Sequence, residues 1–239
     1  MLSNVEDLKV KLFADGADLP TMLDMAKKPY IKGLTTNPTL MRKAGISNYR
    51  EFAKEVLEEI KDKPISFEVF SDNLSEMTSQ GIEISSWGSN VNVKVPVTNS
   101  QGESTEEVIK HLSDFGVTLN ITAILTTEQV TNVVKSINPN SSAFISVFAG
   151  RIADTGRDPI PLMRSALEIM KQRPKTELIW ASPRELLNVF QANEINCHVI
   201  TATSDILKKL DLVGKDLSQY SLETVRMFRD DALASGYSI

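Results

Sequence analysis

Eight short runs rich in Val, Ile and Phe recur along this chain, and amphipathic stretches lie between them. Such runs are typical of buried parallel strands; they lie at residues 9–14, 31–36, 65–70, 91–97, 117–124, 143–148, 177–181 and 197–202. Apolar side chains recur on one face of the segments 49–61, 105–114, 127–136, 161–172 and 183–192, which predicts helices. Strands that alternate with helices predict a parallel sheet covered by helices.

The chain length helps to choose between two ways of arranging these units. With 239 residues, each unit has about 30 residues, and the total is near the ~250 residues of a (β/α)8 TIM barrel. No linker divides the chain, so we expect residues 1–239 to form a single α/β TIM-barrel catalytic domain. An open, doubly wound sheet remains the alternative, because periodicity does not report closure. Residues 220–235 predict an extra C-terminal helix, whose apolar face predicts a homo-oligomer.

The composition narrows the expected partners and compartment. A net charge of −5 gives no general attraction to nucleic acid or to an anionic membrane. Cys197 is the single cysteine, which fits a reducing compartment, and the two histidines lack the spacing of a metal site. Residues 1–7 contain no apolar signal core, and no run approaches the ~18 apolar residues of a membrane span. We therefore expect a cytoplasmic protein with no metal.

Polar residues gather at the ends of the predicted strands, where barrel enzymes carry their chemistry. They are Asp15, Asp18, Thr35, Thr36, Asn37, Glu68, Lys94, Asn120, Thr122, Ser146, Arg151, Ser182 and Arg184. Lys94 is the most informative, because it lies inside the strand-like run VNVKVPV. Burial favours the neutral amine, which is the form that attacks carbonyls. A snorkelling lysine or a buried ion pair is the alternative, and the pattern alone leaves both interpretations open.

Several motifs of the chain resemble those of one enzyme family. The run KVPVT at residues 94–98 resembles the Schiff-base strand of the transaldolases and of their small relatives, the fructose-6-phosphate aldolases. Further matches follow the family order: ADGAD at 14–18, TTNPT at 35–39, FEVF at 67–70, LNIT at 119–122, SVFAGR at 146–151 and ASPR at 181–184. The chain is similar in size to the small branch of this family, whose members tend to form rings of subunits.

The resemblance implies a role for each matching residue. Lys94 forms an imine with the donor ketose, and Asp15 takes and returns the proton of the C4 hydroxyl. Glu68 and Thr122 hold the water that relays protons. The implied substrate-binding residues are Asn37, Thr35, Asn120, Ser146, Phe148, Arg151, Ser182 and Arg184, of which Arg151, Ser182 and Arg184 bind the phosphate.

The implied reaction moves a dihydroxyacetone unit from a ketose phosphate, such as fructose 6-phosphate or sedoheptulose 7-phosphate, to an aldose phosphate. No metal or organic cofactor is implied, because the protonated imine is the electron sink. A fructose-6-phosphate aldolase that releases free dihydroxyacetone is one alternative. Phe148 and Glu68 favour transfer, because the aldolase branch carries Tyr and Gln at these positions. Action on an unusual anionic sugar and a catalytically silent phosphosugar-binding barrel are further alternatives.

The residues around the phosphate motif carry local expectations as well. Ser182 is expected to open the helix of residues 183–192, which would aim free N–H groups at the phosphate. Structural alternatives pair Arg151 with Asp154, and Arg184 with Glu185 or Asp205. Three departures from the family pattern, Val147, Trp180 and Pro183, are expected near this end of the site and keep the identity of the anionic group open.

Other polar residues also have structural alternatives. Asp18 is expected to cap a helix, and Asn37, which precedes Pro38, is a candidate turn residue. Thr122 and Ser146 have the alternative of satisfying local backbone groups.

Overall fold

The computed structural model describes residues 5–237 and forms a closed barrel of eight parallel strands in chain order. The strands are β1 (Lys11–Asp15), β2 (Ile31–Thr35), β3 (Ile65–Glu68), β4 (Val91–Pro96), β5 (Leu119–Ile124), β6 (Ala143–Val147), β7 (Thr176–Trp180) and β8 (Val199–Thr203). Each predicted strand is present, with its ends within two residues of the prediction. The pairing of β1 with β8 closes the sheet, so the barrel is confirmed and the open sheet is wrong.

Helices connect the strands and cover the barrel. They are α1 (Leu19–Lys27), α2 (Pro38–Lys43), α3 (Tyr49–Glu59), α4 (Leu74–Ser85), α5 (Glu106–Asp114), α6 (Thr127–Ser136), α7 (Ala149–Ala153), α8 (Ile160–Met170), α9 (Leu187–Glu194), α10 (Ser204–Leu207) and α11 (Leu217–Ala234). Five predicted helices correspond to α3, α5, α6, α8 and α9, and α11 confirms the extra C-terminal helix. Residues 1–4, which belong to the N-terminal segment considered above, lie outside the described residues.

Side-chain caps start several of these helices close to the strand ends. The carboxylate of Asp18 accepts the N–H of Thr21 and caps α1, as predicted. Asn37 caps α2 by accepting the N–H of Leu40 at 3.0 Å. This cap lies two residues after Thr35, the last residue of β2. The chain therefore passes from β2 into α2 directly at the C-terminal end of the strand.

The barrel interior has an apolar floor beneath its polar end. Phe13, Ile179 and Val199 form a buried cluster with Phe144, separate from the core between the strands and the helices. Phe13 precedes Asp15 by two residues, and Phe144 likewise precedes Ser146, so each pair shares one face of its strand. Gly33 lies against this floor, where an added Cβ would stand 2.5 Å from the ring of Phe13. Any larger residue there would displace the ring, since such an interior has no spare volume.

Two features are absent from the described part of the chain, a membrane-spanning helix and a cluster of metal ligands. No helix within residues 5–237 combines the length and the apolar character that crossing a bilayer requires. Within the same residues, the side chains of His, Cys, Asp and Glu form no group of three that could hold a metal ion.

Candidate active site

One cavity of about 540 Å³ opens at the C-terminal ends of the strands. Every residue predicted to belong to the site lines it: Lys94, Asp15, Glu68, Thr122, Asn37, Thr35, Asn120, Ser146, Phe148, Arg151, Ser182 and Arg184. The cavity lies where the fold directs the ends of all the strands, so residues far apart in sequence converge there.

Lys94 is the centre of the polar groups in this cavity. Its side chain is 8% exposed, and Nζ lies 3.0 Å from Oε2 of Glu68. Nζ also donates to the carbonyl oxygen of Thr36 at 2.8 Å. Strand register places Glu68, Lys94 and Asn120 side by side on β3, β4 and β5, so the three side chains share one level of the barrel. The lysine therefore does not snorkel; it forms a buried ion pair inside the cavity.

Glu68 is held in place through its backbone by Tyr49 of α3. The Tyr49 hydroxyl donates to the carbonyl of Glu68 at 2.9 Å and accepts its N–H at 2.7 Å. Burial raises the pKa of Tyr49 far above its ordinary value, so this hydroxyl keeps its proton. Tyr49 lies outside the strand ends, so no sequence signal indicated its contact with Glu68.

Asp15 ends β1 and is the second carboxylate of the cavity. Its Oδ1 accepts the hydroxyl of Thr35 at 2.8 Å, and its Oδ2 lies 3.5 Å from Nδ2 of Asn37. Burial raises the pKa of Asp15 above its ordinary value; Lys94 opposes this rise and Glu68 adds to it. A carboxylate that gains a proton more readily is suited to take one from a substrate hydroxyl.

A layer of amide and hydroxyl groups completes this part of the wall. Ser146 donates to Oδ1 of Asn120 at 2.7 Å, and Nδ2 of Asn120 donates to Ser66 at 3.0 Å. The hydroxyl of Thr122 is buried without a hydrogen-bond partner in the described part of the chain. Neither Thr122 nor Ser146 bonds a local backbone group through its side chain, so that alternative is wrong. Because Thr122 lines the cavity, its unpartnered hydroxyl is suited to bind a water or a substrate oxygen.

Two arginines lie at the other end of the cavity. Arg151, on α7, places its guanidinium 5.7 Å from the ring centroid of Phe148. It has no salt-bridge or hydrogen-bond partner for its side chain within residues 5–237. Arg184 instead contacts both carboxylate oxygens of Asp154 and, through Nη1, the carbonyl and hydroxyl of Ser182. The alternative pairs, Arg151 with Asp154 and Arg184 with Glu185 or Asp205, are therefore wrong.

The expectation that Ser182 opens a helix is also wrong. Helix α9 begins at Leu187, and the N–H groups of Arg184 and Glu185 donate to the side chain of Asn188. Pro183 has no N–H, so it adds no donor. No helix therefore begins at Ser182 to direct free N–H groups at a phosphate. The side chains of Arg151, Ser182 and Arg184 are the hydrogen-bond donors at this end of the cavity.

Two residues of the cavity wall have unusual backbone angles. Ala123 and Ser182 have φ angles of 62° and 60°, a region that L-residues rarely adopt, and both line the cavity. Strain of this kind persists where the surrounding structure enforces it, and it is frequent at functional sites. Gly150 permits the close approach of the Ser182 loop to α7, because an added Cβ would lie 1.6 Å from the Ser182 carbonyl oxygen.

The three departures from the family motifs do not reach the cavity. Val147 and Trp180 are fully buried in the core between the strands and the helices, and Pro183 is also buried. None of these three residues lines the cavity. Their positions follow from strand alternation, because Val147 and Trp180 point away from the inward-facing Ser146 and Ala181.

Thr39, Lys43 and Thr201 are cavity residues with a charge or a hydroxyl that the sequence motifs did not assign to the site. Lys43 reaches the cavity from the end of α2, and Thr201 reaches it from β8. Thr201 is a polar residue inside the apolar run VITAT, just as Thr122 is a polar residue inside the strand β5. The same pattern could therefore have indicated Thr201. Lys43 had no such signal, because a lysine near a helix end is common on any surface.

The fold and the cavity together define a class: a (β/α)8-barrel enzyme with one buried lysine paired with a carboxylate at the C-terminal ends of its strands. Residues 12–238 match the model of the family described as Transaldolase/Fructose-6-phosphate aldolase. The chain belongs to this family.

Individual relatives agree with this assignment. The chain is 31% identical over 202 residues to a "Probable transaldolase" of Dehalococcoides mccartyi, which covers 84% of this chain and 90% of the relative. It is 33% identical to a "Probable transaldolase" of Clostridium acetobutylicum, over 84% of this chain and 89% of the relative. Among solved structures, "QR15, an Aldolase" superposes with a TM-score of 0.55 at 12% identity, over 85% of this chain and 97% of the other; that likeness supports the fold alone.

Proposed function

We propose that this enzyme is a transaldolase that transfers a dihydroxyacetone unit between sugar phosphates through an imine on Lys94. The donor is a ketose phosphate, such as fructose 6-phosphate or sedoheptulose 7-phosphate, and the acceptor is an aldose phosphate. The observation that carries the proposal is the position of Lys94, whose buried Nζ lies 3.0 Å from Glu68 in the cavity that also contains Asp15.

Imine formation is the first step. Lys94 first passes a proton to Glu68, and its neutral amine then attacks the C2 carbonyl of the donor; the resulting carbinolamine loses water. Glu68 is near enough to exchange a proton with this nitrogen, and a water held by Glu68 and the unpartnered hydroxyl of Thr122 relays protons to the departing oxygen. Asn37, Asn120 and Ser146 hold the hydroxyl groups of the dihydroxyacetone part near the geometry of attack.

Cleavage of the C3–C4 bond is the second step. Asp15 takes the proton of the C4 hydroxyl, the C4 carbonyl forms, and the bonding electrons move into the protonated imine to give an enamine on Lys94. The aldose phosphate leaves and another aldehyde enters. The enamine carbon attacks that aldehyde, Asp15 returns its proton to the new hydroxyl, and water releases the product from Lys94. Atoms and electrons balance without an added oxidant or reductant.

The arginine end of the cavity is the place for the phosphate. Arg151 has a guanidinium free to bind, and Arg184 lies beside the Ser182 hydroxyl. Guanidinium groups bind phosphate through charge-assisted hydrogen bonds. With a net charge of −5 on the whole chain, this local positive charge is what attracts an anionic sugar.

Trapping of the imine tests the proposal. Incubation with fructose 6-phosphate and borohydride should leave a reduced three-carbon adduct on the peptide that contains Lys94. Lys94→Met should abolish the adduct and lower transfer by several orders of magnitude, because no other group supplies the electron sink. Lys43, the other lysine of the cavity, provides the control: Lys43→Met should still be labelled at Lys94. A label on Lys43, or full activity of Lys94→Met, would rule out the mechanism.

A further inference from the structure

Thr201 is connected to Asp15 by two hydrogen bonds that pass through Thr35. It lies on β8, is 6% exposed, and lines the cavity. Its Oγ1 lies 2.5 Å from Oγ1 of Thr35, which in turn donates to Oδ1 of Asp15 at 2.8 Å. The strand β1 pairs with β2 on one side and with β8 on the other. The register places Thr35 beside Asp15 and Thr201 beside Phe13, so the Thr201 hydroxyl reaches Asp15 through Thr35.

The chemistry of these groups determines the direction of the hydrogen bonds. An ionised carboxylate only accepts, and a threonine hydroxyl has one hydrogen to donate. Because the hydrogen of Thr35 points to Asp15, Thr35 can only accept from Thr201. The order is therefore Thr201 to Thr35 to Asp15, and each donation polarises the next.

We propose that Thr201 is a positioning residue for Asp15, which acts through Thr35 to keep Oδ1 an acceptor and to leave Oδ2 as the oxygen that receives the substrate proton. The proposal rests on the proposed function, since it specifies how Asp15 serves as its base. Oδ2 is the oxygen 3.5 Å from Asn37. A proton on Oδ1 would require both hydroxyl groups to reverse, whereas a proton on Oδ2 leaves the chain intact.

The charges around Asp15 set the direction of the expected pH effect. The charged groups that face it are Lys94 on β4, which lowers its pKa, and Glu68 on β3, which raises it. The hydrogen bond from Thr35 also lowers this pKa, against the larger effect of burial. Removal of the Thr201 hydroxyl leaves Thr35 a weaker donor, so the pKa of Asp15 rises further. Cleavage needs ionised Asp15, so the acidic limb of the pH profile of kcat/KM moves to higher pH.

The first measurement is the pH dependence of kcat/KM for fructose 6-phosphate cleavage, with erythrose 4-phosphate as acceptor. Thr201→Val should move the acidic limb to higher pH and recover most of its activity on the alkaline side. Thr201→Ser, which keeps the hydroxyl, should restore the limb of the wild type. Thr176→Val is the matched control, because Thr176 is a buried threonine of β7 that donates to Arg173 and does not line the cavity.

The second measurement does not depend on activity. Titration of the ¹³C-labelled aspartate carboxyl groups by NMR, with Asp15→Asn to assign the signal, reports the pKa of Asp15 directly. It should be higher in Thr201→Val than in the wild type and unchanged in Thr176→Val. An unchanged Asp15 titration in a folded Thr201→Val or Thr201→Ala protein would overturn the proposal. A wild type that forms no imine would overturn the proposed function instead, and the NMR titration would still decide the question of Thr201.

Discussion

The guanidinium of Arg184 meets the carboxylate of Asp154 through two contacts, Nε to Oδ1 at 2.8 Å and Nη2 to Oδ2 at 2.5 Å. Its third nitrogen, Nη1, donates to Ser182. These contacts also lower the pKa of Asp154, so this carboxyl stays ionised beside the cavity. The two arginines of the cavity are therefore not equivalent: Arg151 is free to bind a ligand, while Arg184 also neutralises Asp154 and orients Ser182.

Substitution of the arginines should reveal this difference. Arg151→Ala should raise KM for fructose 6-phosphate about tenfold to hundredfold, the value of one lost charge-assisted contact. Arg184→Ala should raise it at least as much, because it also leaves Asp154 uncompensated. Adding Asp154→Asn to Arg184→Ala should recover part of that loss. Steady-state kinetics with phosphorylated and unphosphorylated donors measure both effects; equal losses with both donors would mean that the arginines are structural.

Phe148 should control the fate of the enamine. Its ring lines the cavity and lies against Arg151, and it offers no hydrogen bond to water. Phe148→Tyr adds a hydroxyl that can position water or donate a proton, so fructose 6-phosphate cleavage without an acceptor should rise several-fold and transfer should fall. Release of dihydroxyacetone is measured with and without erythrose 4-phosphate. If the wild type releases it equally fast in both cases, the enzyme is a fructose-6-phosphate aldolase.

Helix α11 should be an intersubunit contact. None of its residues is buried, and Leu217 and Phe228 are 80% and 62% exposed. Exposed apolar groups on a whole helix favour association, so we expect a homo-oligomer at micromolar concentration. Phe228→Glu should weaken it, and Ser221→Glu, which adds the same charge at an exposed polar position of α11, should not. Sedimentation velocity measures the difference; a wild-type monomer of 26.5 kDa would contradict the prediction.

Cys197 should be unreactive in the folded protein. The thiol is buried, and burial raises its pKa to about 12. Thiolate is the reactive form, so at pH 8 a disulfide reagent should modify the native protein orders of magnitude more slowly than the urea-unfolded protein. Spectrophotometric thiol titration gives both rates. Comparable rates would show that the β7–β8 region opens readily.

Much of the architecture follows from local sequence patterns. Strand and helix periodicities repeat within short windows, so β1 to β8 could be placed to within two residues. Parallel strands present their C-terminal ends at one face, so Lys94, Asp15 and Glu68 could be expected to meet in one cavity. The motifs around these residues indicated the enzyme family, because they occur along the chain in the same order as in that family.

Contacts between distant residues depended on the tertiary structure. Closure required the pairing of β1 with β8, which no periodicity encodes. The partner of Arg184 is Asp154, 30 residues away, because Gly150 lets the Ser182 loop approach α7. The same holds for Thr201, which follows Thr35 by 166 residues. Side-chain type and strand face are local properties, but the choice of partner depends on register and loop path, which only the assembled barrel determines.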